Sequence, residues 1–157
     1  MTVKQPNSAS CFVCGLDNPV GLRLEFYETG PDEVRATWTP AKVYDGYPDV
    51  LHGGIVAAIL DEVGGRVMMI GDHTRFMMTA KLEVKYRMPT PTRQPLTVVG
   101  RLLQRRGRLA LTHAEVRLPD GTVTAEADLT LAEPPEEFRP AGDLEALGWK
   151  VYPDGEV

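Results

Sequence analysis

No apolar run in the 157-residue chain reaches the roughly 20 residues that a membrane helix needs. The first ten residues, MTVKQPNSAS, are polar and hold no apolar segment of the kind a secretory signal carries. Basic residues are outnumbered: 17 Lys and Arg against 22 Asp and Glu leave a formal net charge of -5. General binding to nucleic acid or to an anionic membrane needs a basic face, and this balance argues against one. These absences set the expectation of a cytoplasmic protein that partners neither nucleic acid nor membrane. No internal repeat and no second domain is evident.

Cysteine is scarce. The two residues, Cys11 and Cys14, form one C-x-x-C. A redox pair of that spacing usually follows a strand and opens a helix that stabilises the thiolate, whereas GLDNPVG follows here and has turn chemistry. A zinc site takes four ligands. Two thiols supply half of that set, and His52, His73 and His113 all lie far off in sequence. Completing the set with thiolates would take two copies of the chain. The spacing favours a tight turn whose small apolar side chains pack on the body, with no metal.

What is present is an ordinary globular composition, 43% apolar and 25% charged. The length suits one domain with a sizeable core. Residues 1–20 read as a leader packed on the domain, 21–132 as the domain itself and 133–157 as a C-terminal extension. Leu22, Leu24 and Phe26 alternate with polar residues, as do Val34, Ala36 and Trp38, and TGPD between them suits a hairpin. From Gly53 to about Ile70, apolar residues recur at helical spacing over a broad surface. That helix carries Gly64 and Gly65, each costing roughly 1 kcal/mol of propensity against alanine. Close approach of another backbone would explain them. Strict alternation returns in AKLEVKYRMP, in a long hairpin turning near Arg106-Gly107, and in VTAEADLTLAE after the turn PDGT. The tail has four prolines and reads as extended, with one helical turn near Leu144 to Leu147. Two strands, one enclosed helix and about four more strands give the α+β class, an antiparallel sheet wrapped around one long central helix.

The chemistry lies in VLHGGIVAAILDEVGG, residues 50–65. Glycines at a helix start leave backbone N–H groups unshielded at the positive end of the helix, which suits an anion or oxyanion. His52 immediately precedes them. Asp61 sits among apolar neighbours, a setting that poises a carboxylate as a general base. These pieces fit attack on a carbonyl. Gly53 and Asp61 are eight residues apart, hence roughly 12 Å along one helix at about 1.5 Å per residue. A reacting carbonyl must sit about 3 Å from both groups, so the spacing calls for Gly53 of one subunit beside Asp61 of another. The same residues also fit a structural reading: His52 as a turn residue, the glycines as a loop-to-helix hinge, and Asp61 and Glu62 as an exposed helix edge.

Three segments, HGGIVAAILDE, MTAKLEVKYRMPTP and CFVCGLDNPVGLRLEF, resemble the hotdog-fold thioesterases, in particular the phenylacetate-degradation-type acyl-CoA thioesterases. The resemblance spans residues 11–132. It implies a hotdog domain at 21–132 that hydrolyses acyl-CoA to free acid and CoA, without metal or cofactor, in a homodimer or homotetramer. It implies Asp61 as nucleophile or base, and Gly53 as the N–H donor that polarises the carbonyl, with Gly54 beside it on the substrate. It further implies His52 supporting the loop against the thioester and Thr79 placing the water. Coenzyme A would meet basic strand residues, of which Arg87 and Arg105 are singled out from a set that equally fits a solvated strand face. Glu62 is assigned no role. Many members carry Asn or Gln six residues before the histidine; here Gly46 stands there, with Tyr44, Asp45 and Tyr47 as neighbours able to substitute. That departure motivates a second reading, a non-catalytic acyl-CoA or acyl-carrier binding module.

Overall fold

Alternation of inward apolar and outward polar residues builds the sheet. In the computed structural model, which describes residues 1–155, the strands are β1 (Val3–Lys4), β2 (Tyr27–Gly30), β3 (Glu33–Trp38), β4 (Asp45–Tyr47), β5 (Val50–Leu51), β6 (Met78–Tyr86), β7 (Leu96–Arg106), β8 (Leu109–Arg117) and β9 (Val123–Ala132). Among the described residues the single α-helix, α1, spans Gly53–Arg66. Seven strands form one antiparallel sheet in the order β1-β2-β3-β7-β8-β9-β6, and β4 and β5 form a small separate hairpin. The expected hairpins are present: Gly30 pairs with Glu33, and Arg106 pairs with Leu109 across Gly107, whose φ is +56°.

The sheet curls around α1. Val56, Ile59, Leu60 and Val63 on the helix meet Val98, Ala114, Val116, Ala127 and Leu129 on the strands, all buried. Burying one such large aliphatic side chain contributes about 1.5–3 kcal/mol, so this layer holds the helix in place. The contact is close enough to need a glycine on the sheet side. A Cβ at Gly100 in β7 would lie 2.4 Å from the Val63 carbonyl oxygen. On the helix, a Cβ at Gly64 would lie 2.7 Å from a Leu129 methyl group. Gly64 is therefore explained by side chains of the sheet, not by another backbone. Gly65 faces open space.

Two boundaries differ from expectation. The helix ends at Arg66 and continues as a 3-10 turn over Val67–Met69, before Gly71 reverses the chain at φ +75°. Leu22, Leu24 and Phe26 are buried as their alternation requires, yet the strand starts only at Tyr27. Arg23 adopts φ +57°, which breaks the ladder. The segment instead bonds to the N-terminal arm, Leu22 N–H to Phe12 O at 2.8 Å and Leu24 N–H to Val13 O at 3.0 Å. The tail packs back on the same arm. Asn7 and Lys150 form a β-bridge, Leu144 to Leu147 lie in the expected turn, and Trp149 Nε1–H donates to His73 O at 2.9 Å. No helix among the described residues is long and apolar enough to cross a membrane.

Candidate active site

His52 starts the helix. Its backbone is extended, at φ -56° and ψ 131°, and its ring folds over the first turn, where Nδ1 accepts the Gly54 N–H at 2.9 Å. Of the two glycine N–H groups expected to face substrate, Gly54 is thus capped internally. Gly53 N–H has no acceptor among the described residues and is the available donor. Tyr86, at the end of β6, fixes this corner: its Oη–H donates to Gly53 O at 2.6 Å. Alternation placed Tyr86 in an apolar row, and nothing in the sequence marked its hydroxyl.

Asp61 lies two turns along α1 and is half-buried, less enclosed than its apolar neighbours suggested. Thr79 of β6 donates through Oγ1 to Asp61 Oδ1 at 2.6 Å. The structure therefore joins these two sequence-predicted residues, and joins His52 to Gly54, but keeps the pairs apart. Asp61 and Thr79 line a cleft of about 310 Å³ with Cys11, Cys14, Met77 and Trp149. Gly53 lines another, of about 360 Å³, with Tyr86, Arg87, Met88 and Thr90. No residue is common to both clefts.

The basic residues divide similarly. Arg87 sits at the Gly53 cleft and makes a bidentate pair with Glu126 at 2.7 and 3.0 Å. Arg105 is exposed near the β7–β8 turn, opposite Ala110, beside Met77 and Glu133. Gly46 packs against the histidine; a Cβ there would lie 3.0 Å from His52 Cα, so a side chain at this position crowds His52 unless the histidine gives by a few tenths of an ångström. Of its neighbours, Tyr44 Oη–H donates to Gly21 O, and Asp45 accepts from Thr92 Oγ1 and Asp49 N–H. Tyr47 is 77% exposed.

Behind Asp61 lies a cluster that the sequence did not reveal. Arg66 is 1% exposed; its Nε–H donates to Glu62 Oε1 at 3.0 Å and its Nη1 to Pro6 O at 2.6 Å. The guanidinium stacks between Phe26 and Trp149, 4.6 and 5.0 Å from the ring centroids. Glu62 is thus the counter-charge of a buried arginine. Cys11 and Cys14 form the expected tight turn, closed by Gly15 N–H to Cys11 O at 2.8 Å. Hydrogen bonding from the Cys14 thiol, joined by backbone N–H groups, holds the Cys11 thiol at about 6, below its ordinary value. The same bond, with burial, pushes Cys14 up.

The thioesterase superfamily profile matches residues 49–125. Comparison with curated proteins gives no significant match. Among solved structures, a thioesterase superfamily protein is 32% identical with a TM-score of 0.73, covering 78% of this chain, which spans 62% of that relative's length. A thioesterase superfamily protein from Shewanella loihica PV-4 is 21% identical, with a TM-score of 0.61 and coverage of 71% and 91% of the two chains. A hypothetical thioesterase from Streptococcus pneumoniae TIGR4, solved with coenzyme A, is 16% identical, with a TM-score of 0.63 and coverage of 69% and 86%.

Proposed function

We infer, since the chain belongs to the hotdog-fold thioesterase superfamily, that it hydrolyses acyl-CoA thioesters at a site shared between two subunits. The observation that carries this reading is the bond from Thr79 Oγ1 to Asp61 Oδ1, which orients a carboxylate in a cleft and leaves Oδ2 for a water or for the carbonyl carbon. The oxyanion donor is Gly53 N–H of the partner subunit, at the positive end of its helix. Three features support the pairing of subunits. Gly53 and Asp61 of one chain line separate clefts. Gly65, one turn beyond Asp61, faces open space. β6 ends the sheet with an unpaired edge among the described residues.

In the hydrolysis, Asp61 takes a proton from water as the water adds to the thioester carbonyl, or adds to it directly to give a mixed anhydride that water then cleaves to free acid and Asp61. The oxyanion is held by the backbone N–H, and the thiolate of CoA leaves. Arg87 at the Gly53 cleft and Arg105 near the β7–β8 turn are the receivers for CoA phosphates; Arg87 then exchanges Glu126 for the ligand.

Asp61→Asn tests the reading. Thiol release over a panel of short, medium, long-chain and aromatic acyl-CoAs should fall by about 10²–10⁴-fold, with fold and oligomer retained. Unchanged turnover on an active substrate would refute it. The second reading, a binding module without turnover, draws on Gly46, where no amide reaches the site. Tight acyl-CoA binding by calorimetry without thiol release on any substrate would establish that reading.

A further inference from the structure

We propose that Cys11, Cys14 and Glu62 form a binding site for a soft divalent cation of the zinc class, clamping the N-terminal arm to α1 behind Asp61. The ligand atoms of these three residues lie within 4.8 Å of one another. They come from two elements far apart in sequence, the turn at 11–14 and the second half of the helix.

The turn is shaped for thiolates. Cys11 Sγ accepts the N–H groups of Val13 at 3.3 Å and Cys14 at 3.5 Å. A neutral thiol is only a weak acceptor, so two backbone donors converging on one sulfur suit the anion, which is the metal-binding form. Gly15 makes the turn possible, since a Cβ there would lie 2.2 Å from Cys11 O. The third ligand is also oriented. Arg66 holds Glu62 Oε1, which leaves Oε2 on the sulfur side, 3.9 Å from Cys11 Sγ. In a tetrahedral site with bonds of about 2.3 Å to sulfur and 2.1 Å to oxygen, those atoms stand about 3.6 Å apart. Closing the difference takes a small rotation of one side chain. A buried partner that orients a ligating carboxylate is a recurring part of metal sites.

Charge agrees with geometry. Two thiolates and a carboxylate carry three negative charges, against one positive charge on Arg66. Cys14 is 1% exposed, and an unbalanced charge is costly in such a place. A divalent cation brings the cluster to neutrality, and paired thiolates select the zinc class over magnesium or calcium. Three protein donors leave a fourth position, and all three residues line the same cleft as Asp61 and Thr79.

The test is a titration of the full chain, stripped with chelator and with both thiols shown to be reduced, using cobalt(II) under anaerobic conditions. One equivalent should bind and give thiolate-to-cobalt charge-transfer absorption, which zinc then bleaches. Cys11→Ser keeps an acceptor for the two N–H groups and so keeps the turn; it should weaken the band and lower affinity by more than about tenfold. Cys11→Ser with Cys14→Ser should abolish the band, with circular dichroism unchanged. Reduced protein without a charge-transfer band, or a band that survives in the double variant, overturns the site. So does a pair that takes no metal and instead closes to a disulfide on mild oxidation in the presence of zinc.

Discussion

Single residues divide the candidate site into what fixes and what is proposed to react. Thr79 has one bond of consequence, to Asp61 Oδ1, and Thr79→Val removes it at almost constant volume. The carboxylate then loses its orientation, so kcat should fall by about 10²-fold while KM for the active acyl-CoA changes little. A full loss of substrate affinity would instead make Thr79 a binding residue. The motif His52, Gly53, Asp61 was legible because each residue type is unusual in its setting. The division of labour within it was not. That Gly54 N–H is consumed by the His52 ring depends on a side-chain rotation, and that Tyr86 holds Gly53 O depends on a strand 33 residues away. Glu62 looked idle because its partner, Arg66, is enclosed only once the N-terminal arm folds over it.

At the scale of elements, α1 and its layer of strands were readable from period alone, and the hairpins from turn chemistry. Alternation misplaced the start of β2, because an extended segment paired with a neighbouring arm has the same pattern as a laddered strand; the backbone of Arg23 made the difference. The glycines of the helix invited one explanation and received two. Gly100→Ala sets a methyl against the Val63 carbonyl, where backbone must move, and should destabilise the protein by about 1–3 kcal/mol in urea unfolding. Gly65→Ala meets nothing within its own chain and gains about 1 kcal/mol of helix propensity. If two helices lie side by side, that variant should weaken self-association while a dissociated subunit unfolds at higher urea. A gain in both would place the partner elsewhere.

The whole molecule presents a sheet with one long edge. β6 is exposed along its length, with Met78 at 49% and Tyr86 at 53%, and it joins the two halves of the site: Thr79 at one end holds Asp61, and Tyr86 at the other holds Gly53. Two such edges meeting antiparallel would bring the Gly53 end of one chain to the Asp61 end of the other. Specific activity should therefore fall on dilution through the association midpoint measured by sedimentation; a fully active monomer would exclude a shared site. The edge was not visible in the sequence, where the distance from Gly53 to Asp61 alone called for a partner subunit. The contact between the arm and the tail has a kinetic consequence. Asn7 and Lys150 pair across almost the full chain, and Trp149 walls the Asp61 cleft. Loop-closure entropy makes such distant contacts costly to form before the intervening chain is in place. The wall that Trp149 adds to the Asp61 cleft is therefore expected to form after the sheet during folding.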